Sequence, residues 1–244
     1  MIEEIILAFV QAATEFLPVS SSGHLAILSN LFSEPNLFFI TMLHIASLTA
    51  VLIFTRKEIF SLLKFDKEAR KLLKYLIIAT IPAAFFGYFF NNFIESIFSS
   101  FLYIGIAFLF TGLVLYLTKN LKEYSKLNLK NSFVIGLFQV LALFPGMSRS
   151  GMTISGGIFM GLNKERAAKF SFLLLIPLAI GAFILEFKDA YFSIDLVIAF
   201  FVTLFFSLLF LNLLIKIIIK EKFWMFSIYC FIIGLISLYL HFFV

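Results

Sequence analysis

Six apolar runs, at 38–54, 73–90, 101–118, 170–187, 196–215 and 223–243, are each long enough to cross a lipid bilayer, which takes about 20 helical residues. Two further apolar stretches, 5–33 and 132–161, are interrupted, the first by PVSSSG and the second by PGMSRSG. Each half is then about 10–14 residues long, too short to span but suited to a re-entrant helix–loop–helix. Proline and glycine end the first half of each, and serine ahead of glycine suits the start of the second. The expectation is an all-α polytopic membrane protein: one integral domain over 1–244, six transmembrane helices and two re-entrant hairpins.

Composition agrees. The chain is 62% apolar, against about 45–50% for a soluble domain. One cysteine, Cys230, excludes an internal disulfide framework and a cysteine metal site. The N-terminus carries Glu3 and Glu4 where a signal peptide would carry Lys or Arg. A net charge of +5 would suggest a nucleic-acid partner if the charges formed a patch. They are instead distributed by topology, so no nucleic acid is expected.

If both interrupted segments return to the side they entered from, the loops at 55–72, 119–130, 162–169 and 216–222 share one side. With Lys74 they hold 17 of the 19 Lys and Arg. The other side holds Lys188 among Glu34, Glu95, Glu186, Asp189 and Asp195, and the remaining cation is Arg149. Short cytoplasmic loops carry the excess of Lys and Arg, so both termini are expected outside the cytoplasm. The first hairpin then enters from outside and the second from inside.

The hairpins also match each other. At an offset of 128, Gln11 meets Gln139, Phe16 meets Phe144, Ser20 meets Ser148, Ser22 meets Ser150 and Gly23 meets Gly151. Opposite insertion with internal similarity marks an inverted-topology repeat, about 1–118 against 119–244. Such folds place their sites near the midplane, where broken helices meet.

The polar groups expected at that depth are Gln11, Thr14, Glu15, Ser20, Ser21, Ser22 and His24 from the first hairpin. The second supplies Gln139, Ser148, Arg149, Ser150, Thr153 and Ser155. A charge there costs at least ~2.5–3.5 kcal/mol on insertion scales, and Glu15 and Arg149 are opposite charges on converging elements. Gln11 and Glu15 are four apart and share a helix face; their oxygens suit a divalent cation, Mg²⁺ or Ca²⁺. The half-helices opened by SSSG and SRSG offer N–H groups to an anion, and Arg149 adds a fork matched to phosphate oxygens. The serine hydroxyls and His24 supply a nucleophile and a proton carrier. The set points to phosphoryl chemistry on a membrane-dissolved substrate. The alternative is a secondary transporter or flippase for a polyprenyl phosphate or another anion, which needs the anion site but not a nucleophile with its base.

QAATEFLPVSSSGHL and FPGMSRSGMT resemble the two motifs of the undecaprenyl-diphosphatase (bacitracin-resistance) family of bacterial membrane phosphatases. The likeness extends over the whole chain, through IPAAFFG at 81–87 and FSFLLLIP at 170–177. It implies hydrolysis of undecaprenyl diphosphate to the monophosphate and inorganic phosphate, which recycles the carrier lipid for cell-wall synthesis and confers bacitracin resistance. It also implies a divalent cation and a site in the cytoplasmic (inner) membrane that opens to the extracytoplasmic side. Carried onto this chain, Glu15 is the essential acid, as metal ligand or base, with Gln11 beside it. Ser21 is the candidate nucleophile, with direct attack by water the alternative; His24 is its proton partner, and Arg149 the clamp on the diphosphate. Ser20, Ser22, Gly23, Gly146, Ser148, Ser150, Gly151 and Thr153 are the substrate-binding groups. Position 11 is Gln where the family has Glu or Gln, so a cation leans more on substrate oxygens. Position 22 is Ser where many members have Thr, which keeps the hydroxyl.

Other polar residues have plainer expected roles. His44 is read as packing or hydrogen bonding within the first span, His241 as interfacial and Cys230 as packing. Residues 57–74 read as one amphipathic helix on the cytoplasmic surface. Gly105, Gly112, Gly156, Gly157, Gly161 and Gly181 read as close-packing positions. The sequence is compatible with a homodimer, and no motif requires one.

Overall fold

A computed structural model describes residues 2–29, 37–97, 100–186 and 192–243. Among these, all regular structure is helical. The first interrupted stretch forms α1 (Ile2–Phe16) and α2 (Ser21–Ser29); the second forms α8 (Leu129–Leu141) and α9 (Arg149–Phe159). Between them lie α3 (Leu37–Phe54), α4 (Arg56–Leu63), α5 (Lys67–Phe89), α6 (Asn91–Ile97) and α7 (Phe101–Leu117). After them come α10 (Lys164–Glu186), α11 (Ile194–Ile219), a 3-10 turn (Phe223–Met225) and α12 (Phe226–Phe243). Among the described residues, five of the six expected apolar runs each fall on one helix, and the run 223–243 falls on the 3-10 turn and α12. By length and apolarity, α5, α11 and the turn joined to α12 each reach membrane-spanning size. α3 with α4 makes a fourth if that pair, bent by 73°, counts as one span.

The expected surface helix over 57–74 is instead two elements. α4 stops at Leu63, Phe65 turns through φ +52°, and the Asp66 carboxylate accepts from the Ala69 N–H to start α5 six residues before the expected span. A capping carboxylate at the only turn in the stretch outweighs its helical periodicity.

Element order repeats along the chain. Moved by 128 residues, the starts of α1, α2, α3 and α5 fall within one residue of those of α8, α9, α10 and α11. Packing repeats as well: α1 lies on α11 as α8 lies on α5, and α3 meets α11 as α10 meets α5. α7 and α12 pack on each other. A methyl on Gly105 would meet the Gly234 carbonyl at 3.0 Å, so these two helices touch backbone to backbone. Gly181, by contrast, has open space around it.

The basic segments gather at one end. Lys169 pairs with Glu58 at 3.4 Å, Lys164 with Glu221 at 3.9 Å, and Asn163 donates to Glu123 at 3.1 Å. Lys119 lies 4.2 Å over the Trp224 ring. These contacts join the segments around 56–71, 119–128, 162–169 and 216–225. Of the acidic side expected opposite, Glu34, Lys188 and Asp189 lie outside the described residues, as do the side chains of Glu95 and Glu186.

Candidate active site

The two breaks are built alike. Ser20 Oγ accepts from the Gly23 N–H at 3.2 Å and lies 3.3 Å from Ser22 Oγ. Ser148 Oγ accepts from the Gly151 N–H at 3.1 Å and lies 3.2 Å from Ser150 Oγ. Each cap satisfies one of the N–H groups a new helix leaves unpaired. The turns reach it differently. In the second, Gly146 takes the left-handed conformation at φ +88° and Ser148 is ordinary at φ −76°. In the first, Ser20 itself sits at φ +66°, which costs an L-residue roughly 1–2 kcal/mol.

The hairpins interlock at their tips. A methyl on Gly23 would lie 2.8 Å from Gly146 Cα and 2.7 Å from the Phe108 ring; one on Gly151 would lie 3.3 Å from Pro18 Cβ. The exposed backbone of each tip is met by the central helix pair. Thr111 of α7 donates to the Gly146 carbonyl at 3.2 Å and accepts from the Ser148 N–H at 3.3 Å. Cys230 of α12 reaches the Pro18 carbonyl at 3.5 Å. Cys230 is thus more than packing.

This interlock carries Arg149 to Glu15. The Arg149 guanidinium pairs with Glu15 Oε1, across 134 residues of sequence. The other oxygen, Oε2, accepts from Ser21 Oγ at 2.7 Å and from the Gln11 amide at 3.0 Å. Glu15 is 7% exposed and Gln11 fully buried. A carboxylate this enclosed is tolerated because every donor around it points inward.

His24 lies to one side. Its Nδ1 is 2.7 Å from the Ser20 carbonyl, which can only accept, so Nδ1 carries the proton. Nε2 then accepts from the Tyr229 hydroxyl at 2.8 Å. The ring stacks on Tyr229 and meets the edge of Phe108. The hydroxyl of Ser21 is directed at Glu15, and His24 is engaged by Ser20 and Tyr229. His44, read from the sequence as packing or hydrogen bonding, donates from Nδ1 to the Ile40 carbonyl at 2.9 Å and also borders the site, its Nε2 lying 3.7 Å from Glu15 Oε2. A polar side chain at membrane depth was the signal that marked it. Tyr229 gave no signal, being one of many aromatics in an apolar run.

The second hairpin contributes less side chain to the site than its motif suggests. Thr153 is buried, donates to the Arg149 carbonyl at 2.8 Å and lies 2.6 Å from Ser171 Oγ of α10. Ser148 and Ser150 are buried in the cap, and Gln139 donates to the Ala79 carbonyl at 3.3 Å. These residues hold the turn that presents Arg149, whose side chain stays 16% exposed.

The donor set fits a divalent cation in one respect. Gln11 Oε1 is buried without a hydrogen-bond partner, on the same amide as the nitrogen that meets Glu15. Turning the amide over would put two oxygens side by side, and only a cation between them makes that favourable. Such an ion would take the rest of its shell from water and substrate oxygens. An apolar groove of about 530 Å³ runs beside the site, from Thr14, Leu17 and Tyr229 past Met225 to Lys222.

The sequence matches the model of the family described as Bacitracin resistance protein BacA over residues 4–236. A protein named undecaprenyl-diphosphatase from Methanococcus maripaludis (strain C7) is 42% identical over 239 residues, 94% of this chain and 96% of the relative. One of the same name from Thermosipho africanus is 42% identical over 243 residues, 96% and 98% of the two chains. Undecaprenyl-diphosphatase 4 of Bacillus thuringiensis (strain Al Hakam) is 44% identical over 196 residues, 78% and 75% of the two chains. The match spans both interrupted segments and the helices that carry them, and the chain belongs to the bacitracin resistance protein BacA family.

Proposed function

We propose that this protein is an integral membrane phosphatase that hydrolyses undecaprenyl diphosphate to undecaprenyl phosphate and inorganic phosphate. The observation that carries it is the cluster of Arg149, Glu15 and Ser21, assembled by two broken helices within a family whose curated members bear that name. No finding favours the carrier alternative.

The chemistry follows from how the groups are paired. The diphosphate enters as a polyanion and takes the Arg149 guanidinium, a fork matched to phosphate oxygens. Glu15 Oε1 then loses its partner, and the carboxylate is free to accept the proton that Ser21 Oγ already directs at Oε2. Ser21 Oγ attacks the terminal phosphorus; a Ser–O–P bond forms and the bridging P–O bond breaks, releasing the lipid monophosphate. Glu15 passes that proton to the departing phosphate oxygen and is a carboxylate again. Water then gives its proton to Glu15 as it attacks the phosphorus, the Ser–O–P bond breaks, Ser21 Oγ regains a proton from Glu15, and inorganic phosphate is freed. His24 and Tyr229 fix the first turn of α2, whose free N–H groups face the phosphate with those of α9. Gln11 and Glu15 would hold the divalent cation, Mg²⁺ or Ca²⁺ in the simplest form. When bound it neutralises phosphate charge as the leaving oxygen departs.

The membrane arrangement we infer is six spans and two re-entrant hairpins in an inverted-topology repeat. The repeated element order, the duplicated caps and the basic segments joined at one end support it. By the positive-inside rule that end is cytoplasmic. Both termini and the diphosphate's approach then lie on the extracytoplasmic side of the cytoplasmic membrane. The groove lined by Ala13, Leu17, Met225 and Phe226 offers an apolar wall to the isoprenoid tail.

The test is phosphate release from a C55 or C15 polyprenyl diphosphate by purified protein in detergent. Release removed by EDTA and restored by a divalent cation is the expected result. Absence of release from folded protein that binds the lipid would overturn the assignment.

A further inference from the structure

We propose that His44 is a nitrogen ligand of the divalent cation. The centre at Gln11 and Glu15 would then prefer a first-row transition ion over Mg²⁺ or Ca²⁺. The inference rests on the cation dependence proposed above.

Glu15 divides its two oxygens between different tasks. Oε1 faces Arg149. Oε2 is ringed by the Gln11 amide at 3.0 Å, the Ser21 hydroxyl at 2.7 Å and the His44 imidazole at 3.7 Å. The last distance is too long for a hydrogen bond. It is close to the separation of two ligands on one ion, about 3–3.6 Å for metal bonds of ~2.1 Å. The ring is also prepared for ligation. Its Nδ1 gives its proton to the Ile40 carbonyl at 2.9 Å, the arrangement by which metal-binding histidines are oriented and their other nitrogen left bare. With Nδ1 donating to Ile40, the Nε2 of a neutral ring turns its lone pair toward the carboxylate oxygen, and a cation placed between them makes both contacts attractive. The His44 side chain is 33% exposed, so the site is open to an incoming ion.

Gln11 is the independent observation. Its Oε1 is fully buried and has no partner, a group that costs free energy unless something fills it. Among the described residues no three His, Cys, Asp or Glu side chains cluster anywhere, so a cation centre must recruit other donors. With its amide turned over, Gln11 supplies an oxygen, as Ser21 does, beside one carboxylate and one imidazole. A carboxylate, carbonyl and hydroxyl set alone would suit Mg²⁺ or Ca²⁺; an imidazole shifts preference toward first-row transition ions.

Mn²⁺ alone is the probe, because its electron spin reports its ligands directly. Full-length protein in detergent is loaded with Mn²⁺, and pulsed paramagnetic resonance reads nitrogen coupling, in ordinary protein and in protein labelled with ¹⁵N-histidine. The expected result is an imidazole coupling that changes with the label and vanishes in His44→Gln. It should persist in His24→Gln, since both His24 nitrogens are engaged elsewhere. Mn²⁺ affinity in His44→Gln should fall about 10-fold or more, with a smaller loss for Mg²⁺. The label experiment needs no variant, and the thermal midpoint of His44→Gln checks that it is folded. Mn²⁺ bound without histidine coupling would overturn the role of His44 and leave the oxygen site of Gln11 and Glu15 standing. No Mn²⁺ binding to folded protein would overturn both.

Discussion

The pairing of Glu15 with Arg149 makes a prediction that separates architecture from chemistry. In Arg149→Met the Glu15 carboxylate, only 5% exposed in its side chain, keeps two neutral donors and loses its counter-charge. In Glu15→Gln the guanidinium is stranded instead. Removing one member of a buried ion pair costs about 3–5 kcal/mol, in line with ~2.5–3.5 kcal/mol for a lone charge at membrane depth. For a chain of this length each kcal/mol moves the unfolding midpoint by about 2–4 °C, so each single variant should unfold roughly 6–20 °C early. The double variant Glu15→Gln/Arg149→Met buries no unpaired charge and should recover at least half of that loss. Its activity should not recover, because the anion clamp and the proton acceptor are both gone. Thermal unfolding in detergent and phosphate release from a polyprenyl diphosphate read the two quantities separately. A double variant destabilised by the sum of the singles would show no coupling and refute the pairing.

Gly23→Ala should unfold early and lose activity, since its methyl meets backbone at 2.8 Å and overpacking costs about 1–3 kcal/mol. Gly87→Ala, whose methyl would find its nearest neighbour, the Leu143 side chain, at 3.9 Å, should change the midpoint by less than about 1 kcal/mol equivalent. Tyr229→Phe removes the hydroxyl that meets His24 Nε2. Turnover should fall about 5–10-fold through loss of roughly 1 kcal/mol of hydrogen bonding, measured as kcat with KM little changed. Met225→Trp should fill the groove beside Thr14 and Leu17 and raise KM for the C55 substrate more than for C15. Equal effects on both would place the tail elsewhere.

Much of this site could be read from the sequence because membrane depth makes polarity conspicuous. Glu15 and Arg149 stand out in apolar surroundings, and their convergence followed from two broken helices of opposite insertion. The 128-residue offset between Ser20 and Ser148 became two caps with matching hydrogen bonds, reached through different turns. What escaped was side-chain direction. Spacing puts His24 three residues after Ser21, but the left-handed turn at Ser20 sends the imidazole to Tyr229 and the hydroxyl to Glu15. His44 lies on α3, whose approach to α1 no local pattern encodes. Thr153 was one of the substrate groups the family resemblance implied; in the structure its hydroxyl meets the Arg149 carbonyl and Ser171. The helix break at Lys64–Asp66 was hidden by a periodicity that continues across it.

The 134 residues between Glu15 and Arg149 also set an order of events during synthesis. A ribosome adding roughly 5–20 residues per second needs about 7–27 seconds to reach the arginine after making the glutamate. Through that interval the first hairpin carries a carboxylate with no counter-charge to meet it. It should wait at the water-facing edge of the insertion machinery, and settle to its final depth only when the second hairpin arrives. A nascent chain stalled before residue 149 should therefore leave a cysteine introduced at position 21 open to water-soluble thiol reagents. A stall after the second hairpin has emerged should close it.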